Sequence, residues 1–278
     1  MLRETPGHSP RSGVLAAASR VAGSAPVIVL GYPHSGAARL LSVLSDSGLA
    51  CTSGTGVLPL CHQAAAVWRR AEGRDADPGK ISALAAASIH AMVGAVVTQI
   101  LASGGQDRWC ELALVPEDSA ATFLSLYPSA RFVCLHRSFG GVARAALEAS
   151  PWGLAGPGYA PFLAAHPNST LAALAAFWVA HTAALLAFEA DHPAESLRVR
   201  YEDVASMSGT AQAIKSFLGL TETESRPVLH TEHVSSDAMP NEDSLSDEGI
   251  PVVQLPPALL AEVNDLLARL GYSGLSAS

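Results

Sequence analysis

The sequence is poor in charge. Charged side chains make up 15% of its 278 residues, and acids outnumber bases to give a net charge of −8. A nucleic-acid binder neutralises phosphates with clustered Lys and Arg, so this balance argues against DNA or RNA as a partner. It leaves room for a local basic pocket that takes one small phosphate ligand. Cysteine is also scarce. Cys51, Cys61, Cys110 and Cys134 include no CxxC pair, so a zinc site is not expected. His230 and His233 lack further ligands to complete a metal site. Sparse, irregular cysteines fit reduced thiols in a cytoplasmic protein. No apolar run follows the charges of MLRETPGHSPRSG, so residues 1–24 are read as a flexible tail and not as a signal peptide. Residues 81–101 and 171–188 approach membrane-spanning length, but they are mostly Ala with interspersed polar residues. They read as buried helices, and no membrane contact is expected. Asn168-Ser169-Thr170 is a formal sequon that reads as a helix N-terminus.

What is present is hydrophobic residue, 49% of the chain, in short runs separated by helical patterns. PVIVL at 26–30 reads as a buried strand, Gly31–Gly36 as a tight loop, and 37–47 as a helix with Leu40, Leu41 and Leu44 on one face. Residues 48–59 are rich in Gly, Ser and Thr and read as a loop near the site. Further strands are expected near 109–114, 131–135 and 196–200. Helices are expected over 81–101, 118–126, from about 141, and over 171–190, 211–218 and 257–270. Tyr201-Glu202-Asp203 is expected to close the last strand, and Val234–Gly249 to be a polar loop. Strands alternating with helices imply an α/β fold: one domain over 25–275, with a parallel sheet flanked by helices.

The strand–GxxxxG–helix of residues 26–47 has the geometry of a phosphate-binding loop, in which backbone amides and the positive helix end cradle an anion. Ala37-Ala38 stands where a nucleotide triphosphatase would carry Lys and Ser or Thr, which excludes Walker-type catalysis. Three more segments join it. PVIVLGYPHSGAARLLSVL, YPSARFVCLHRSFGGVARAAL and SLRVRYEDVASMSGTAQAIKSFLGL, in this order and spacing, resemble the sulfotransferases that use 3′-phosphoadenosine 5′-phosphosulfate (PAPS). IPVVQLPPALLAEVNDLLARLGY resembles the C-terminal helix of bacterial members. The resemblance implies a P-loop-like fold with PAPS as co-substrate and no metal. It places Gly31, Pro33, His34, Ser35, Gly36, Ala37, Ala38, Arg137 and Tyr201 around the nucleotide.

The departures from the family pattern fall on that site. His34 replaces the Lys or Arg that neutralises the bridging oxygen. Ala37 and Ala38 replace two Thr, Ala145 replaces a Ser, and Asp247-Glu248-Gly249 stands where an Arg-Gly is common. A catalytic carboxylate of some members would fall near Gly54 or Thr55. Four lost bonds to charged groups would cost roughly 6 kcal/mol, on the order of 10⁴-fold in affinity. Arg39, Arg144 and His34 are the side chains that could rebuild the grip, since a protonated imidazole beside phosphate is favoured. His34, His62 and Glu111 are the catalytic candidates, the last two lying where the acceptor pocket should be. Two functions follow. One is a supporting, non-catalytic subunit (a pseudoenzyme) that works beside a second sulfotransferase-like chain, or as a homodimer, in sulfuryl transfer to a small-metabolite or carrier-bound hydroxyl. The alternative is an active PAPS-dependent enzyme with a rebuilt donor site.

Overall fold

The computed structural model describes residues 25–73, 81–104, 106–114, 117–149, 158–206, 209–220 and 255–275. The expected tail 1–24, the polar loop 234–249 and His230 and His233 lie outside these residues. Five strands form the sheet: β1 Val27–Gly31, β2 Leu49–Ser53, β3 Arg108–Leu114, β4 Arg131–His136 and β5 Ser196–Arg200. Their order is β2-β3-β1-β4-β5 and every pairing is parallel. The described helices are α1 Ala37–Asp46, α2 Val57–Glu72, α3 Ala83–Gly104, α4 Glu117–Leu126, α5 Phe139–Ala149, α6 Ala160–Ala165, α7 Thr170–Asp191, α8 Tyr201–Ala205, α9 Thr210–Leu218 and α10 Pro257–Leu270. The architecture is the expected α/β sheet with helices on both faces.

Strand alternation divides the core into two layers. Ile28, Leu30, Trp109, Phe132 and Cys134 pack on one face with Val57, Ile89, Phe123, Val142, Trp178 and Val263 from the helices. Val27, Val29, Cys110, Val133 and Val199 pack on the other with Leu40, Leu44, Ile214 and Leu218. β1 is buried along its whole length because strands flank it and helices cover both faces. That burial explains its unbroken run of apolar residues.

Two expectations need correction. The segment 48–59 is not one loop. Leu49–Ser53 pairs with β3 as an edge strand, and α2 starts at Val57 after left-handed Gly54 and Gly56. Five residues reading LACTS give too short and too polar a pattern to stand out, and the pairing comes from β3. Tyr201-Glu202-Asp203 is the first turn of the short helix α8 and not a simple strand end. The two Ala-rich segments also differ from one another. α7 is core, whereas α3 buries one stripe, Ala85, Ile89, Val93 and Val97. Both are long and apolar enough by composition to cross a membrane. Ser169 caps α7 by accepting from the Ala172 amide at 3.1 Å, which accounts for the sequon as a helix start.

Behind the end of β4, His136 Nε2 lies 2.6 Å from Glu189 Oε1, and Arg198 Nε donates to Glu189 Oε2 at 2.6 Å. Glu189 therefore ties β4, β5 and α7 together. Glu189→Ala strands the buried His136 and removes the partner of Arg198. Removing one member of such a buried set should cost about 3 kcal/mol, read from the urea midpoint of unfolding. An unchanged midpoint would mean that the tie carries no net stability.

Candidate functional site

The site begins where β1 ends. A Cβ on Gly31 would meet Ser35 Oγ at 3.0 Å, so the loop folds back closely over the strand. The turn is closed by the Ser35 amide donating to the Tyr32 carbonyl at 3.1 Å. His34 has φ 66°, the one positive value among the described non-glycine residues, and Gly36 has φ 83°. These two residues bracket Ser35 and lead into α1 at Ala37, a backbone of the kind that can aim amides at an anion. No side chain caps α1. Its first amides have no intrahelical acceptors, and the helix dipole adds positive potential there. Ser35 Oγ is buried without a hydrogen-bond partner among the described residues.

Arg137, one residue past β4, reaches this loop. Its Nη1 donates to the His34 carbonyl at 3.0 Å, and its guanidinium stacks 4.2 Å above the Tyr201 ring. Its Nε is buried and unpartnered among the described residues. Gly141 makes room for it, since a Cβ there would meet Arg137 Nε at 2.7 Å. The Arg137 backbone is held from below. Tyr32 OH donates to its carbonyl at 3.1 Å, Trp178 Nε1 donates to the same oxygen at 3.1 Å, and the Arg137 amide approaches Tyr32 OH at 3.1 Å. Burial pushes the Tyr32 phenol up to about 12, so it stays neutral at ordinary pH.

The Arg-Tyr-Glu-Asp run of 200–203 acts as a clasp. Arg200 pairs with Asp203 through two bonds of 2.8 and 2.9 Å, and that bond holds the Asp203 carboxyl below its ordinary value. Arg200 also donates to the Gly271 carbonyl beyond α10 at 3.2 Å. Tyr201 lies against Gly36, where a Cβ would enter its ring. Glu202 accepts from the Ser138 amide at 3.3 Å and from Tyr272 OH at 2.5 Å. The C-terminal helix is thereby joined to the turn that carries Arg137.

A cavity of about 220 Å³ lies one strand away. Ser53, Gly54, Gly56, Pro59, Glu111, Leu112, Ala113 and Leu114 line it. Leu114 is the register partner of Gly31, so the cavity rises along β3 to the level of the loop. Glu111 is 2% exposed and receives the Thr55 hydroxyl, with the Gly56 and Val57 amides also bonded to it. Burial raises its carboxyl to about 7, against the opposing pull of Thr55, Val57 and Gly56. A carboxyl poised near neutrality in a cavity can accept or return a proton.

These features meet the comparisons with known proteins. A family model described as the sulfotransferase family matches residues 26–224, most of the chain. The chain belongs to the sulfotransferase family. Among solved structures it is similar to the sulfotransferase domain from the Synechococcus PCC 7002 olefin synthase. Identity is 17% over 89% of this chain and 94% of that one, with a TM-score of 0.49. No curated protein matches it.

Within this sulfotransferase, Gly31, Pro33, His34, Ser35, Gly36, Arg137 and Tyr201 converge at the carboxyl end of β1 and β4. Ala37 and Ala38 begin α1 without hydroxyls, and Ala145 is buried on α5. His62 is not in the cavity lining; its Nδ1 is 3.0 Å from Thr122 Oγ1 on α4. The position near Thr55, where a carboxylate is expected from the resemblance, has the Glu111 carboxyl beside it, contributed by β3 and bonded by the Thr55 hydroxyl. The contacts that Tyr32, Trp178 and Glu202 make with the backbone of Arg137 and Ser138 emerge only from the fold. Their positions depend on strand ends that sequence spacing does not join.

Proposed function

We propose that this sulfotransferase is an active enzyme that takes a sulfuryl group from PAPS and passes it to a hydroxyl of a small or carrier-bound acceptor. The observation that carries this reading is the pairing of an anion cradle with a neutral-range carboxyl one strand away. The orphaned Ser35 Oγ and Arg137 Nε, together with the uncapped start of α1, fit a phosphate-bearing group. The donor would supply a sulfur centre whose bond to the phosphate oxygen breaks as the acceptor oxygen bonds to it. The amides of His34, Gly36, Ala37 and Ala38 would hold the anion, the Ser35 amide being taken by the Tyr32 carbonyl. Arg137 would fix its second phosphate and His34 would stand beside the bridging oxygen, as the resemblance implies. Glu111 Oε takes the acceptor proton. The reading needs no metal and puts the reaction in the cytoplasm.

The test is calorimetry with the 3′,5′-bisphosphate product. Arg137→Ala removes two potential bonds to a charged ligand, about 3 kcal/mol, so affinity should fall roughly 100-fold. Absence of binding by the native chain would overturn the reading. It would favour the second one, a supporting subunit beside an intact sulfotransferase-like chain. The alanines at 37 and 38 favour that second reading, because they cannot return the hydroxyl bonds to phosphate. Donor turnover by the isolated chain separates the two.

A further inference from the structure

Cys51 on β2 and Cys110 on β3 are far apart in sequence but are register partners in the sheet. Adjacent strands lie about 4.8 Å apart. That is within the roughly 4.4–6.8 Å between Cα atoms that a disulfide spans. Register partners of parallel strands point to the same face, and both side chains join the layer packed on α1. The two side chains interact across the register, and both thiols are free. Cys51 is half-buried and Cys110 fully buried. No group of three His, Cys, Asp or Glu side chains among the described residues could hold a metal, so the pair is not part of such a centre.

We propose that Cys51 and Cys110 are a reversible disulfide site set across β2 and β3, on the sheet face packed against α1. A peroxide is the oxidant. The more exposed Cys51 Sγ attacks one peroxide oxygen, the O–O bond breaks, and water leaves a sulfenic acid. Cys110 Sγ then attacks Cys51 Sγ and displaces the hydroxyl as a second water. Two thiols lose two electrons and two protons, and one peroxide becomes two waters. A dithiol reductant reverses the step by exchange. Cys110 is suited to the second role because it is buried behind the half-buried Cys51, so peroxide reaches Cys51 first.

The bond would fix an edge strand that, among the described residues, pairs with β3 alone. Cys110 directly precedes Glu111. Thr52, beside Cys51, donates to the Cys110 carbonyl at 3.2 Å and accepts from Trp109 Nε1 at 3.0 Å. Oxidation therefore acts within one residue of Glu111 and two of Ser53, both in the cavity lining. The inference stands on the register and the thiol contact and does not depend on the transfer reaction.

The experiment uses the full chain, reduced, then treated with stoichiometric hydrogen peroxide, alkylated and digested. Two of the four thiols should disappear, one linked peptide should join Cys51 to Cys110, and dithiothreitol should restore both. Amides of residues 49–53 should exchange more slowly in the oxidised chain. Cys51→Ser, at the half-buried position, should form no linked peptide and leave Cys110 alkylatable after unfolding. Sulfinic acid at Cys51 with Cys110 still free, a link through Cys61 or Cys134, or retention of all four thiols would each overturn the proposal.

Discussion

Glutamine in place of Glu111 is expected to lower the rate of sulfuryl transfer by about 10²–10⁴-fold, the usual contribution of a positioned general base. The same change should make the chain more stable at alkaline pH. The Glu111 carboxyl rises from 4.5 to about 7 in the fold, chiefly through burial. A carboxyl with a raised folded value binds more protons in the native than in the unfolded state between these limits. Stability is therefore greatest below pH 4.5, falls as pH rises towards 7, and then levels off. The loss is about 3 kcal/mol by the usual conversion. Glutamine keeps the shape and carries no charge, so the variant should match the native chain at pH 5 and exceed it at pH 8. Urea unfolding at the two values measures this. The native kcat should rise with pH through about 7 as Glu111 loses its proton, and the variant should lack that limb. Full activity in the variant would remove Glu111 from the chemistry. Unchanged stability at pH 8 would show that the carboxylate is better solvated than its burial implies.

The donor end of the site was more legible in the sequence than the acceptor end, for a physical reason. β1, its loop and α1 are contiguous, so periodicity and glycine placement describe them directly. Arg137 follows a strand with a plain apolar run and Tyr201 the alternating SLRVR, and a parallel sheet brings such strand ends to one edge. The acceptor end depends on pairing between distant segments. β2 has no strong pattern of its own, and α2 begins after two left-handed glycines that look like loop composition. The bond between Thr55 and Glu111, the contact of Cys51 with Cys110, and the tie of His136 to Glu189 each join residues through the sheet or across layers. The carboxyl beside Thr55 comes from β3, an arrangement that spacing along the chain cannot express. The clasp at 200–203 was visible as a motif, but the separate tasks of its four side chains were not. One pairs with Asp203 and grips the end of α10, one stacks on Arg137, and one bonds both Ser138 and Tyr272.

Gly36→Ala should disable the donor end at a stroke. Two costs combine there. With φ 83°, alanine pays about 1–2 kcal/mol for a left-handed backbone. Its Cβ would also enter the Tyr201 ring, so the ring or the loop must move, at about 1–3 kcal/mol for overpacking. Stability should fall by about 3 kcal/mol. Tyr201 carries the Arg137 guanidinium on its face, so displacing the ring also shifts Arg137 from the His34 carbonyl. Binding of the bisphosphate should then drop by more than the roughly 100-fold loss assigned to Arg137 alone. Gly48→Ala is the control. Its φ is 87°, but an added Cβ meets nothing within 4 Å, so it carries the backbone cost alone and should leave binding unchanged. A double-mutant cycle isolates the contact. Tyr201→Ala removes the ring, so adding Gly36→Ala to it should cost only what Gly48→Ala costs. If Gly36→Ala is equally harmful with and without Tyr201, the ring is not the obstacle. The strict need for glycine would then lie in the backbone alone, and Tyr201 would not couple the phosphate loop to Arg137.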